Sequence, residues 1–339
     1  MIFRIYSALV YAFHVFTVFI GIVIINHLGL FLFATNYGKL FRLCFFMNYA
    51  TRFNTNLGDP EYGGVKYVTR NFYLHVQKGV RIGVWHTLPQ SLSAILKIEN
   101  KKFERSTFEN AIKEHNHKVV IYCHGAFGYR GNGKSISVAN KLSSNDCHVF
   151  ILDYRGFADS SGECSEEGFY DDLKVLYKYV YSLAPGRIYF WGHSMGGAIA
   201  TRVAADLCEI GKGPKGLMLE SSFTSAFDAF IYYPLNTAYR SFSYIYKYAA
   251  ERTEKCCVRM QNNVNILRVT CPITLVHAKD DWIVPFFMSQ QLYIIAKDSG
   301  KDVKMIIFNE DEQFGHNDCI KSPDFQNILE NFLELNNLS

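Results

Sequence analysis

The segment that most limits how this chain can fold is RIYFWGHSMGGAIATRVAADL, from Arg187 to Leu207. An apolar run typical of a buried strand passes directly into a helix-like run of small residues, with Gly192, Ser194 and Gly196 at the junction. A serine at the apex of such a turn has a strained backbone, which leaves no room for a Cβ atom two residues to either side. The segment therefore predicts a strand, a sharp turn and a helix, with Ser194 at the apex of the turn.

Apolar runs of strand length recur along the chain, and stretches long enough for a helix, such as EEGFYDDLKVLYKYVYSL, separate most of them. The runs are KVVIYCHG, HVFILDYRG, RIYFWGHS, GLMLES, ITLVHA and VKMIIFN. Because buried parallel strands read as continuous apolar runs, the pattern predicts a mostly parallel, doubly wound α/β sheet. Upstream, FYLHV and VRIGVWH flank Gln77-Lys78-Gly79 and predict an antiparallel hairpin at the edge of that sheet.

The strand pattern stops between Ser222 and Cys271, in an interval rich in Phe and Tyr. Two interpretations fit this interval. The first is a set of ordinary helices that bury their aromatic rings. The second is a helical cap insertion at about 222–270, which would supply apolar walls for an acyl chain.

The N-terminus has no Asp, Glu, Lys or Arg from Ile5 to Gly38 and is almost wholly apolar. A helix of about 26 residues would be about 39 Å long, which is enough to cross a bilayer with some tilt. A cleavable signal would have a shorter apolar region, and a buried core helix is the other interpretation. We expect an anchor over residues 1–45 with a transmembrane helix at about 7–34, then a linker over 46–66 and one domain over 67–339.

Composition argues against several classes of protein. The formal net charge is +4, and no basic run interleaves with aromatic residues, so we expect no nucleic-acid partner. Nine cysteines include no CxxC pair, so neither a structural zinc site nor a disulfide scaffold is indicated. We expect no metal and no cofactor.

The chain contains the residues of a nucleophilic triad in a suitable order. A serine hydroxyl is a poor nucleophile until a base takes its proton and a carboxylate orients that base. ITLVHAKDDWIVP places Asp280 and Asp281 just past a predicted strand, where site residues of an open α/β sheet lie. His316 is the only histidine downstream of both. We predict Ser194 as nucleophile, His316 as base and Asp281 as acid, with Asp280 as the alternative; His193, beside the serine, is interpreted as structural.

Acyl transfer also needs backbone N–H groups that stabilise the oxyanion. One follows the nucleophile, at Met195, and the second is expected from Ala126 in the glycine-rich segment YCHGAFGYRGNG. Such a loop can instead cradle phosphate, but we interpret this one as an oxyanion loop. Substrate contacts are expected at Phe127, Arg130 and Trp282; Arg130 would pair with a lipid phosphate or carboxylate, or else be a structural or solvated arginine.

These motifs together resemble the membrane-anchored α/β-hydrolase-domain lipases, specifically the lysophosphatidylserine and monoacylglycerol lipases. The resemblance covers most of the chain and rests on IGVWHTLP, CHGAFGYRG, DYRGFADSSG, WGHSMG, LESSFT, CPITLVHAKDDWIVPF and HNDCIKSPDFQNIL. It implies an α/β-hydrolase fold with nucleophile, acid and base at Ser194, Asp281 and His316. The chain departs from the family at Ala126, where such lipases carry a polar Asn, and GHSMGGAIA is closer to general monoacylglycerol lipases. The resemblance therefore leaves the head group open.

From these observations we expect a single-pass membrane serine hydrolase that releases a fatty acid from lysophospholipid or monoacylglycerol. The resemblance implies the endoplasmic reticulum with a lumenal domain, whereas Lys39, Arg42 and Arg52 after the apolar segment favour a cytosolic one, so the side stays open. Three alternatives remain. One is an acyl-protein thioesterase that uses the same triad, another is a peptidase, and the third is a catalytically inactive hydrolase fold that acts as a scaffold.

Overall fold

The computed structural model describes residues 41–51, 56–99, 104–234, 251 and 258–334. They contain an eight-stranded sheet. The strands are β1 (Thr69–Gln77), β2 (Val80–Thr87), β3 (Val119–Cys123), β4 (His148–Leu152), β5 (Ile188–His193), β6 (Gly216–Glu220), β7 (Ile273–Ala278) and β8 (Val303–Phe308). Their order in the sheet is β1-β2-β4-β3-β5-β6-β7-β8. β1 pairs antiparallel with β2 and β2 antiparallel with β4, and the remaining pairs are parallel. The predicted sheet and its antiparallel N-terminal edge are therefore confirmed.

Helices cover both faces of the sheet. In β3 every residue is buried, because alternate side chains enter two different hydrophobic clusters. The helices are α1 (Gln90–Glu99), α2 (Arg105–Glu114), α3 (Gly133–Ser144), α4 (Glu166–Tyr181), α5 (Met195–Glu209), α6 (Ala226–Tyr232), α7 (Asn262–Asn265), α8 (Phe287–Asp298) and α9 (Phe325–Phe332). Val119 and Ile121 pack in the cluster that contains residues of α4, α5 and α8, whereas Val120 and Tyr122 pack in the one that contains residues of α3 and α9.

The chain that precedes β1 packs against the domain. Phe46 is 1% exposed and lies in the main hydrophobic core. The indole N–H of Trp85 donates to the carbonyl oxygen of Leu57 at 3.0 Å. Residues 41–51 and 56–66, which the sequence assigns to the end of the anchor and to a linker, therefore contribute buried apolar side chains to the fold.

The predicted transmembrane helix at about 7–34 lies outside the described residues. Within the described ranges, no helix is long and apolar enough to cross a membrane. The interval interpreted as a cap, at about 222–270, is described at 222–234, 251 and 258–270. There it contains α6 and α7 and no strand, and the rest of it lies outside the described residues.

Candidate active site

The turn between β5 and α5 holds Ser194 in a backbone conformation that few residues adopt, with φ 52° and ψ −119°. Close packing enforces that turn. A Cβ atom at Gly192 would lie 2.5 Å from the Cα atom of Gly197, and one at Gly196 would overlap the carbonyl oxygen of Cys123. The Ser194 N–H donates to the carbonyl oxygen of Glu220 at 2.9 Å, which ties the turn to the end of β6. The predicted strand, turn and helix are formed, and Ser194 is 8% exposed.

His316 and Asp281 are paired in the manner of a base and its orienting acid. The distance between His316 Nδ1 and Asp281 Oδ2 is 2.7 Å, and the imidazole side chain is 10% exposed. The other carboxylate oxygen accepts the N–H groups of Ile283 and Val284, each at 2.9 Å. Burial alone would raise the pKa of Asp281, but His316 and the hydrogen bond from His277 hold that pKa well below its usual range. Asp281 is thus an ionised partner for His316.

Asp280, the alternative acid, has a different contact. Both of its carboxylate oxygens accept the N–H of Gly315, at 3.0 and 2.9 Å. Gly315 belongs to the loop of residues 313–318, called here the base loop, which carries His316. The structure therefore pairs the imidazole with Asp281, while Asp280 binds the backbone of the base loop.

His193 joins the base loop to the nucleophile turn. Its Nε2–H donates to the carbonyl oxygen of His316 at 2.9 Å, and the two imidazole rings lie 4.8 Å apart. Burial lowers the pKa of His193 well below its usual value, and the nearby Lys134 and His316 lower it further. The ring is therefore neutral. The structure thus brings Ser194 and the His316–Asp281 pair to one region at the carboxyl ends of β5 and β7 and beyond the end of β8.

The two expected oxyanion donors are the backbone N–H groups of Ala126 and Met195. In the described part of the chain, neither the N–H of Ala126 nor that of Met195 is bonded to a protein acceptor. The loop that contains Ala126 presses closely on the nucleophile, since a Cβ atom at Gly125 would lie 3.1 Å from the Cβ atom of Ser194. This arrangement is compatible with an oxyanion hole.

Two of the expected substrate contacts present aromatic rings to the surface. Phe127 is 54% exposed and Trp282, next to Asp281 in the chain, is 63% exposed. Phe127 has a positive φ of 67°, and its N–H donates to the carbonyl oxygen of Phe46 at 3.4 Å. Both rings are free to contact an apolar ligand, and their role stays a prediction.

The expectation that Arg130 contacts a lipid head group is wrong. Its side chain is 0% exposed and forms a buried ion pair with Asp153. The same guanidinium donates to Asp159 at 2.8 Å and to the Asn71 side chain at 3.1 Å. A guanidinium with these partners inside the protein cannot reach an anion in solvent, so the structural alternative for Arg130 is correct.

Sequence reasoning missed Lys134, although the sequence contained a signal. The segment GYRGNGKS, Gly128 to Ser135, has the G-x-x-x-x-G-K-[ST] spacing of a phosphate-binding loop. In such a loop the N-terminus of the helix and the lysine bind phosphate. Here both the N-terminus of α3 and Lys134 have partners within the protein. The side chain of Asn132 caps the N-terminus of α3 by accepting the Ser135 N–H at 2.7 Å. Lys134 Nζ donates to Glu220 Oε1 at 2.7 Å and to the Asn317 carbonyl oxygen at 2.6 Å, so this motif is turned toward the base loop.

The arrangement has the parts that acyl transfer requires: a hydroxyl on a strained turn, an imidazole oriented by a carboxylate, and backbone N–H groups nearby. Across the described ranges, no group of three or more His, Cys, Asp or Glu residues could hold a metal ion. The hydroxyl, the imidazole–carboxylate pair and the N–H groups can together perform nucleophilic displacement at an acyl carbon.

Comparison with known proteins agrees with this chemistry. A family model described as alpha/beta hydrolase fold matches residues 118–228. The lysophosphatidylserine lipase ABHD12 of Danio rerio is 33% identical over 286 residues, which are 82% of this chain and 72% of that protein. The enzyme of the same name from Rattus norvegicus is 34% identical over 283 residues, 82% of this chain and 70% of that protein.

Solved structures show the same fold. The Pyrococcus furiosus esterase Pf2001 superposes with a TM-score of 0.59 at 16% identity, over 84% of this chain and 97% of that one. An identity this low concerns the fold alone, whereas the one-third identity to the ABHD12 proteins extends over most of both chains. The chain therefore belongs to the α/β-hydrolase family of the ABHD12 lipases.

Proposed function

We propose that this protein is a membrane-bound serine hydrolase that releases a fatty acid from a lysophospholipid of the lysophosphatidylserine type or from monoacylglycerol. The observation that carries the proposal is the 2.7 Å contact between His316 and Asp281, formed beside the strained turn that holds Ser194. The one-third identity to lysophosphatidylserine lipases supports the substrate class. No metal or cofactor takes part in the proposed reaction.

In the proposed reaction, Ser194 Oγ attacks the ester carbonyl carbon while His316 Nε2 takes the hydroxyl proton. Asp281 stabilises the imidazolium, and the N–H groups of Ala126 and Met195 stabilise the oxyanion. His316 then returns the proton to the leaving alcohol, which departs as the lipid head portion. A water molecule, activated by His316, cleaves the acyl-enzyme to the free fatty acid and restores the Ser194 hydroxyl.

The membrane part of the proposal rests on the apolar segment at about 7–34, which would hold the enzyme at the bilayer where its substrate resides. We place it as a single-pass protein of the endoplasmic reticulum, with the catalytic domain over 67–339. Exposed aromatic rings at Phe127 and Trp282 would contact the acyl chain.

The test is release of fatty acid by membranes that carry the parent protein or its Ser194→Ala variant in equal amounts. Lysophosphatidylserine, monoacylglycerol and a palmitoyl-peptide are offered in parallel. We expect loss of about 10⁴-fold or more in lipid turnover in the variant, because the covalent step has no other nucleophile.

The three substrates separate the alternatives. Turnover of the palmitoyl-peptide in preference to both lipids would replace the lipase with an acyl-protein thioesterase. Equal rates for parent and variant on all three would refute the serine-hydrolase mechanism and favour a scaffold. A preference between the two lipids assigns the head group.

A further inference from the structure

The base loop is short, and its placement depends on bonds to distant parts of the chain. Asp280 binds the Gly315 N–H, and Asp281 binds His316 Nδ1. The other two bonds fall on consecutive carbonyl groups: His193 donates to that of His316 at 2.9 Å, and Lys134 donates to that of Asn317 at 2.6 Å. The loop is therefore held from β7, from the nucleophile turn and from the start of α3.

Lys134 also binds a buried carboxylate that belongs to the nucleophile side of the site. Its ammonium lies 2.7 Å from Glu220 Oε1, and the side chains are 12% and 0% exposed, respectively. The second oxygen of Glu220 accepts the indole N–H of Trp191 at 3.0 Å. The backbone carbonyl of the same Glu220 accepts the Ser194 N–H at 2.9 Å. One residue, Glu220, thus touches both the nucleophile turn and the lysine that holds the base loop.

We propose that Lys134, fixed by Glu220, is a positioning residue. It holds the base loop so that the His316 imidazole keeps the position it needs to take the proton of Ser194. The ammonium has three donors, and two of them connect the end of β6 to the backbone next to the imidazole. A misplacement of about 1 Å between reacting groups can cost about 100-fold in rate. The two bonds of Lys134, to Glu220 and to the Asn317 carbonyl, are called here the clamp. Loss of the clamp should therefore slow proton transfer while leaving lipid binding unchanged.

The experiment uses the full chain and a short-chain soluble ester, with kcat and KM measured separately. Lys134→Met alone would leave the Glu220 carboxylate buried without its cation and could fail to fold. The decisive variant is therefore Lys134→Met combined with Glu220→Gln, which removes both charges together. We expect kcat to fall about 10- to 100-fold with KM within twofold of the parent, and Lys134→Arg to recover most of kcat.

The matched control is Lys174→Met, which removes the ammonium that lies 2.7 Å from Asp206 Oδ2 between α4 and α5. We expect its kcat to equal that of the parent. Thermal unfolding is recorded for every variant. A double variant with parental kcat, or a loss of kcat that Lys134→Arg does not recover, would overturn the clamp.

This inference rests on the proposed function, and the two can fail separately. If Ser194→Ala keeps parental turnover of the ester, the serine-hydrolase mechanism fails and the clamp fails with it. If Ser194→Ala abolishes turnover while the double variant keeps the parental kcat, the mechanism stands and only the role of Lys134 is refuted.

Discussion

The nucleophile turn and the base loop lie side by side, yet they are held by different kinds of interaction. The turn is confined mainly by backbone atoms, because a Cβ atom at Gly192 or Gly196 would meet the backbone, whereas one at Gly197 would meet the side chain of Ser222. The base loop is confined by side chains that reach in from elsewhere. A steric constraint of the first kind is local and is written as a motif, whereas the second kind is assembled by folding.

The base loop and the nucleophile turn also differ in how far apart in the sequence their contacting residues lie. The bonds from Asp280 and Asp281 to the base loop each join residues 35 positions apart. The bond from His193 spans 123 positions and the bond from Lys134 spans 183. Residues that share the tight packing of the nucleophile turn are instead neighbours in one short stretch, apart from Cys123, His124 and Ser222.

The largest effect on activity is expected from substitutions of the side chains that hold the base loop. In Asp281→Asn the amide can hydrogen-bond the wrong tautomer of His316, so we expect kcat to fall about 10⁴-fold. Asp280→Asn keeps an oxygen that can accept the Gly315 N–H, and we expect a loss of roughly tenfold or less. Steady-state ester hydrolysis by the two full-length variants measures the difference. Equal losses would mean that the two carboxylates do not have the separate roles that their contacts indicate.

Substitution in the nucleophile turn, which backbone atoms confine, should lower the stability of the protein. In Gly196→Ala the new Cβ atom would overlap the carbonyl oxygen of Cys123, which is backbone and cannot rotate away. We expect a loss of about 1–3 kcal/mol in the free energy of unfolding. The matched control is Gly133→Ala, where a Cβ atom meets nothing within 4 Å and helix propensity predicts no loss. Chemical unfolding of both variants in detergent tests this, and a Gly196→Ala protein as stable as the control would contradict the steric argument.

The smallest effect that we expect is a loss of stability at low pH, and it arises at His124 in the oxyanion loop. Its Nδ1–H donates to the carbonyl oxygen of Gly125 at 2.8 Å, and burial lowers the pKa of this ring to about 4. The unfolded chain takes up a proton near its ordinary pKa of about 6.5. Because the folded pKa is the lower one, this residue's contribution is complete above about pH 6.5 and is lost as the pH falls toward 4.

We therefore expect His124→Asn, whose amide can still donate to Gly125, to lose less thermal stability between pH 7 and pH 4.5 than the parent. The difference is bounded by about 1.4 kcal/mol per pH unit. The other buried histidines whose pKa is lowered by burial, among them His86, His148 and His193, are present in both proteins and give their common background. The pKa of Asp281 stays below this window, so its carboxylate remains ionised throughout. Parallel pH dependences for the two proteins would refute this role of His124.

Much of the fold could be predicted from the sequence, because buried parallel strands are continuous apolar runs. All six strands from β3 to β8 coincide with such runs. The site was accessible only in part. The adjacent Asp280 and Asp281 are equivalent by position and type, and only their contacts distinguish them. For Arg130, likewise, the sequence left both a head-group contact and a structural or solvated role open until its partners Asp153 and Asp159 were known.

The sequence by itself determined the succession of strands and helices along the chain and the glycine-framed turn at Ser194. Strand periodicity acts between near neighbours, and a Cβ atom at Gly192 would meet Gly196 and Gly197 of the same motif. Only the tertiary structure decided that Asp281 faces His316, that Arg130 is internal, and that Lys134 turns from a phosphate-loop spacing to Glu220 and Asn317. A long polar side chain can satisfy its hydrogen bonds with many partners. Which partner it finds depends on the distant segments that the packed sheet brings within about 3 Å of it.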